Sequence, residues 1–245
     1  MRLEGNKVFI TGATAGIGEA LLNKFLSLGN QVIAVGRNEQ KLQALAEKDK
    51  GVIPLNCDIS KSEDLDKLIL FVEQEHPDTN ILINNAGIQY NYLFTEDPQL
   101  LGKIEQEINV NLLAPLKLIA LMLPTLKANE NAAIVNVSSG LGLSPKKQAP
   151  VYCGTKAGIH IFSKALRYQL EHPKVFEIIP PLVDTRMTSG RGKGKITPED
   201  LVDEFITAFR KDKLELNIGK VKLLKLINRL SPALADRIMK NGGEK

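Results

Sequence analysis

The chain has 245 residues, no tryptophan, two cysteines and three histidines. Cys57 and Cys153 cannot build a disulfide framework, and neither stands at a metal-ligand spacing. His76, His160 and His172 are scattered, so no metal centre is expected. Aromatic residues make up 5% of the chain, and no basic stretch carries the aromatic platform that nucleic acid would need. No unbroken apolar run approaches the roughly 20 residues of a membrane helix. The first residues, Met1-Arg2-Leu3-Glu4-Gly5-Asn6-Lys7, enter a short apolar run at once. They leave no room for a signal peptide, so a cytoplasmic protein is expected.

Apolar residues at 43% and charged residues at 24% predict a globular protein with a sizeable core. No linker or internal repeat divides the chain, so residues 1–245 are expected to form a single domain. Charge is unevenly spread. Residues 186–245 hold 14 Lys and Arg against 8 Asp and Glu, whereas the remainder holds 18 against 20. A basic tail suits an anionic partner or a membrane surface, and a solvated face is the plainer reading.

Six short runs rich in β-branched residues punctuate the chain: 8–10, 32–35, 52–55, 81–83, 133–137 and 175–179. Most are apolar throughout, as strands buried on both faces of a parallel sheet are. Between them lie stretches of helical period. Ile17, Ala20, Leu21, Phe25 and Leu28 form one such stripe, which Gly29-Asn30 ends. Ser60-Lys61-Ser62-Glu63 has the form of a capping box and predicts another helix start. The alternation predicts an α/β fold: a single Rossmann-like, doubly wound parallel sheet of about seven strands with helices on both faces.

The first run ends in Thr11-Gly12-Ala13-Thr14-Ala15-Gly16-Ile17-Gly18 and a helix follows. Gly12 suits a tight turn, Gly16 a backbone approached by pyrophosphate, and Gly18 close packing of helix on sheet. The free N–H groups of the following helix would then meet the phosphates. An acid usually ends the second strand of such a site and holds the adenosine ribose. Here the strand ends Val35-Gly36-Arg37-Asn38. The acid is missing, and the Arg37 guanidinium suits a 2′-phosphate instead, which favours NADP over NAD.

Tyr152-Cys153-Gly154-Thr155-Lys156 places Tyr and Lys at i and i+4, on one helix face. A neighbouring ammonium favours the phenolate and lowers the phenol pKa toward neutrality, where it serves as general acid or base. Ser139 follows the strand run 133–137, at the sheet edge where ligands bind in open α/β folds. Asn84-Asn85-Ala86-Gly87 follows the fourth run, and Asn111 falls inside a long helical stretch that propensity alone does not explain.

In order and spacing, the glycine turn, Asn-Asn-Ala-Gly, the mid-helix Asn, the Ser and Tyr-x-x-x-Lys together resemble the single-domain short-chain dehydrogenases/reductases. The resemblance covers residues 5 to about 185 closely. It implies that Tyr152 is the proton donor in reduction and Ser139 orients the substrate carbonyl. It implies that Lys156 lowers the Tyr152 pKa and binds the nicotinamide ribose, and that Asn111 holds a water linked to Lys156. Asp58 is implied beside adenine, with Asn85, Ala86 and Gly87 along the cofactor. Pro180-Pro181-Leu182-Val183-Asp184-Thr185 resembles the family's Pro-Gly-x-Val-x-Thr stretch. There Val183 would meet the carboxamide and Thr185 the phosphates. Pro181 replaces the usual glycine and removes an N–H, so the loop is expected to run differently. Within the family, 150–153 and 176–185 look like a DltE-type branch, which implies a bacterial-type reductase.

The expected activity is that of an NADP(H)-dependent oxidoreductase acting on a small carbonyl or alcohol, with a cofactor-sensing protein without turnover as the alternative. Residues 186–196 are read as a short, flexible substrate loop, ended by a helix start at Thr197-Pro198-Glu199. Gln89, Tyr90, Leu141 and Met187 are further pocket candidates. Residues 220–245 are read as a helical tail. Its stripe of Leu223, Leu226, Ile227 and Leu230 is expected to pack on its own domain or a sister subunit rather than on a membrane. The family resemblance implies a homodimer or homotetramer formed through long helices near 100–127 and 151–171.

Overall fold

The computed structural model describes residues 1–240 and builds seven parallel strands in the order β3-β2-β1-β4-β5-β6-β7. The strands are β1 Lys7–Thr11, β2 Gln31–Gly36, β3 Val52–Asn56, β4 Ile81–Asn84, β5 Ala133–Val137, β6 Lys174–Ile179 and β7 Glu215–Asn217. The helices are α1 Gly16–Ser27, α2 Glu39–Lys48, α3 Ser62–Glu75, α4 Leu100–Ile108, α5 Ala114–Ala128, α6 Pro150–Gln169, α7 Pro198–Arg210, α8 Lys220–Leu230 and α9 Pro232–Lys240. A π-helical turn, Asn109–Leu113, joins α4 to α5.

The apolar strand runs follow from their burial on both faces. Along β1, Val8 and Ile10 enter one core and Phe9 the other. The first core holds α1 and α7, where Phe25, Phe205 and Phe209 meet ring against ring. The second holds Leu65, Leu68 and Val72 of α3, Leu118, Met122 and Leu126 of α5, and Leu166 of α6. Burying each such side chain is worth about 1.5–3 kcal/mol. The helices thus cover both faces of one doubly wound sheet.

β1 pairs with β2 on one side and β4 on the other, Val8 standing opposite both Val32 and Ile81. The chain therefore reverses direction across the sheet between β1 and β4. Ligands in open α/β sheets bind beyond the carboxyl ends of strands at such a switch point.

Several local expectations change. Ser60 caps no helix: its hydroxyl donates to Asp58, and α3 starts at Ser62 after Lys61, which offers no capping side chain. The seventh strand is only Glu-Leu-Asn. Leu100–Ala128, though interrupted by polar residues, contains a window apolar enough to cross a membrane, with mean hydropathy 1.5. Leu118, Ile119, Met122 and Leu126 of this stretch enter the second core, whereas Leu101, Ile108, Leu113 and Leu121 are exposed. The tail is helical through Lys240, and its last five residues, 241–245, lie outside the described part. Most of its stripe does not pack on its own domain, Ile227 alone of the four being half-buried. Val221 and Leu224 face inward, while Leu223, Leu226 and Leu230 are exposed.

Candidate active site

A cleft of about 480 Å³ opens at the switch point, a size common for small-molecule sites. Its floor is the turn after β1. Gly12 has a φ of +66°, a conformation that glycine alone adopts at no steric cost. At Gly18 an added Cβ would lie 2.1 Å from the Gly12 carbonyl oxygen, so α1 sits directly on the turn. The residue capping α1 is Ala15, which has no side-chain oxygen to give. The first N–H groups of the helix thus have no capping partner and face the cleft. Gly12, Thr14, Gly16 and Ile17 all line it. A backbone cradle that a Cβ would fill, closed by an uncapped helix N-terminus, fits a pyrophosphate.

Thr11, which the sequence did not single out, ties this turn to the end of β4. Its hydroxyl accepts the N–H groups of Asn85 and Ala86, each at 3.0 Å. Asn85 returns its amide to the Thr11 carbonyl at 2.9 Å. Asn85, Ala86 and Gly87 then line one wall, followed by Gln89 and Tyr90.

Arg37 and Asp58 stand together at the end formed by β2 and β3. Burial alone would raise the Asp58 pKa. The Ser60 hydroxyl and N–H, with the charges of Arg37 and Lys61, outweigh it and hold the carboxyl below its ordinary value. Arg37 is exposed at the cleft rim, where it can reach an anion.

At the other end lie Tyr152 and Lys156 on α6. The Lys156 ammonium donates to the Val137 carbonyl at 2.8 Å and stands 5.7 Å from the centre of the Tyr152 ring. Burial pulls the Lys156 pKa down to about 8, opposed by the negative charge of Glu177. Burial pushes the Tyr152 phenol up to about 12, opposed by the Ser139 hydroxyl and the Arg191 guanidinium. The expected lowering of Tyr152 by Lys156 is therefore absent in this geometry: the ammonium is turned to the strand carbonyl.

Ser139 caps a short 3-10 turn, its hydroxyl accepting the Leu141 N–H at 3.1 Å. Ser139 approaches Tyr152 but not the main cleft, whose wall here is Ser138. Asn111 lies in the π-helical turn, a feature that often marks functional sites. Its amide clamps the Ile88 backbone, accepting the N–H and donating to the carbonyl at 2.8 Å each. Gly87 fits between Asn111 and Lys156. Asn111 thus holds the wall segment beside Lys156.

Thr185 and Met187 line the far wall, and the buried Val183 lies behind them. The Val183 carbonyl accepts from the Thr188 hydroxyl, which leaves the Val183 N–H as its backbone group for a ligand. The loop 186–196 is tied at its base, where Asp184 donates its N–H to Ile196 and Ile196 to Leu182. Arg191 within it has a buried guanidinium nitrogen with no hydrogen-bond partner among the described residues. Leu141 packs on Tyr152 and Cys153 rather than lining the cleft.

Two buried acids carry no local signal in the sequence. Glu107 accepts the Tyr90 N–H at 2.9 Å and the Tyr92 hydroxyl at 3.0 Å, fixing the wall after Gly87. Glu177 in β6 accepts the Ser138 hydroxyl at 2.6 Å and meets His160 at 2.9 Å. It stands behind the Ser138–Ser139 turn and Lys156. Ligand atoms of His160, Glu177 and Glu215 come within 4.8 Å of one another, but Arg167 and Lys225 already face the two carboxylates.

Comparison with known proteins shows the family and the fold. Residues 6–195 match the short chain dehydrogenase family. The chain is 37% identical over 233 residues, 92% of each chain, to a Bacillus subtilis protein named uncharacterized oxidoreductase DltE. It superposes with a TM-score of 0.86 on a short chain dehydrogenase from Burkholderia cenocepacia in complex with NADP, at 26% identity and covering 98% of this chain and all of that one. A short chain dehydrogenase/reductase from Burkholderia phymatum in complex with NAD superposes with a TM-score of 0.81 at 19% identity, covering 94% and 96%, and attests the fold.

Proposed function

The chain belongs to the short-chain dehydrogenase family, in its DltE-like branch, and on that premise we propose that it is an NADP(H)-dependent oxidoreductase interconverting a small-molecule carbonyl and its alcohol. The observation that carries the reading is the cleft itself. An uncapped helix N-terminus over a glycine turn stands at one end and a Tyr–Lys pair at the other, both lining one cavity.

When bound, the cofactor supplies or accepts hydride. The remaining work falls to the chain. Gly12, Thr14, Gly16, Ile17 and Gly18 form the pyrophosphate seat. Asn85, Ala86 and Gly87 form the wall along the cofactor, and Val183 and Thr185 the opposite side. Arg37 takes a 2′-phosphate, the feature that separates NADP from NAD, and Asp58 meets adenine. NADP in the Burkholderia cenocepacia relative supports that preference. Lys156 holds the ribose as an ammonium. Tyr152 gives its proton to the alkoxide oxygen that forms in reduction, and Ser139 donates a hydrogen bond to the same oxygen. Asn111 keeps the wall beside Lys156 in place. Exposed Leu101, Leu113, Ile161 and Tyr168 on the long helices are the faces through which copies would pair as a homodimer or homotetramer.

The test is isotope transfer. The protein is incubated with NADPH carrying deuterium on the nicotinamide C4 and a panel of aldehydes and ketones. Deuterium on the carbinol carbon of a product supports the reading. Tight NADPH binding with no transfer to any member of a broad panel would replace it with a cofactor-sensing role.

A further inference from the structure

The tail was expected to pack its apolar stripe on its own domain or a sister subunit, and within one chain most of that stripe stays exposed. On α8 and α9, Leu223, Leu226, Leu230, Leu234 and Ile238 are 47–76% exposed. On α8, Leu223, Leu226 and Leu230 are three or four residues apart and share one face, and on α9 Leu234 and Ile238 do the same; non-helical Ser231 joins the two helices. Single exposed leucines are ordinary, but five in sequence form a patch with a purpose.

The two helices are not loosely attached. Their own Val221, Leu224 and Ala235 are buried. The Asn228 amide donates to the Leu143 carbonyl at 3.1 Å, and the Ser144 hydroxyl to Asp236 at 2.8 Å. The Lys147 N–H meets the Lys240 carbonyl at 3.1 Å. The helix pair is thus fastened to the segment that follows Ser139, with its exposed apolar residues turned outward.

Charge decides what covers those residues. A basic residue directly precedes four of the five apolar ones: Lys222, Lys225, Arg229 and Arg237. With Lys220 and Lys240, residues 220–240 hold six bases against one acid, Asp236. Lys222 and Lys225 are paired with Glu204 and Glu215. Lys220, Arg229, Arg237 and Lys240 have no acidic partner among the described residues. A second copy meeting this face through a two-fold axis would set its cations against the same cations. An anionic lipid surface answers both features, taking leucines into the headgroup boundary and pairing the flanking bases with phosphates.

We propose that the outer face of α8 and α9 docks this protein on an anionic membrane surface. The inference stands apart from the proposed reaction and survives its failure.

The full chain is co-sedimented with vesicles of phosphatidylcholine alone and with vesicles also containing phosphatidylglycerol. Binding is expected only to the second set, weakening as salt rises. Arg229→Gln and Arg237→Gln should each weaken it by about fivefold. Leu226→Ser with Leu230→Ser should lose it while thermal unfolding stays unchanged, since both side chains are exposed. No binding to phosphatidylglycerol vesicles overturns the proposal, as does equal binding to both sets. It is also overturned if the leucine variant shows smaller particles on size exclusion and the native chain ignores vesicles, because the face then covers a second copy.

Discussion

Replacing Tyr152 with Phe is expected to lower turnover by about 10²–10⁴-fold, the usual contribution of a positioned general acid, while leaving NADPH affinity nearly intact. The ring is buried against Ala149 and Cys153, and Phe keeps that packing. Only the hydroxyl is lost, and with it the proton for the product oxygen. The pH profile adds a second reading. Burial sets Lys156 near 8, so its ammonium is present below that value and disappears as pH rises through it. Reduction by the native chain should therefore fall on the alkaline side near that value. Steady-state rates across pH check both points, and a Tyr152→Phe variant with native turnover would remove Tyr152 from the chemistry.

Gly18→Ala should have the largest effect on the cradle. The new Cβ would stand 2.1 Å from the Gly12 carbonyl oxygen and 2.5 Å from the Asn85 amide nitrogen. Neither is the end of a flexible side chain free to move: one is backbone, and the other is bound to the Thr11 carbonyl. Helix α1 must lift from the turn. Overpacking of this kind costs about 1–3 kcal/mol, or roughly 2–4 °C of Tm per kcal/mol at this chain length. A raised helix N-terminus also leaves the pyrophosphate, so NADPH affinity should fall by at least about tenfold, near 1.4 kcal/mol. Thermal unfolding and NADPH titration measure the two effects. Native values in both would mean that α1 does not rest on the turn.

Much of this was legible in the sequence because the signals are local. Strands buried on both faces appear as apolar runs, and all six runs are strands. The glycine turn is read within eight residues, and Tyr152 and Lys156 within one helix turn. Thr197 caps α7 as its Thr-Pro-Glu start implied, its hydroxyl accepting the Asp200 N–H. What stayed hidden depends on contacts distant in sequence. β7 buries one residue, Leu216, and so shows no run. Glu177 lies inside an apolar strand, and its partners Ser138 and His160 come from the end of β5 and from α6. Asn111 stands out as an anomaly in a helix, yet its clamp on Ile88 needed the fold. The tail shows why period alone misleads. Amphipathicity revealed the stripe of Leu223, Leu226, Ile227 and Leu230, but the fully inward face belongs to Val221 and Leu224, with Ile227 half-buried.

The central claim is a nicotinamide cofactor seated on the glycine turn with its adenosine end at Arg37. Titrating the purified chain with NADPH and NADH at one fixed salt concentration tests it most directly. NADPH should bind at least about tenfold tighter, since a charge-assisted contact to a phosphate is worth roughly 1.5–3 kcal/mol. Arg37→Ala should erase the difference while leaving NADH binding unchanged. Equal or tighter binding of NADH would contradict the role of Arg37, and binding of neither would contradict the account of the cleft.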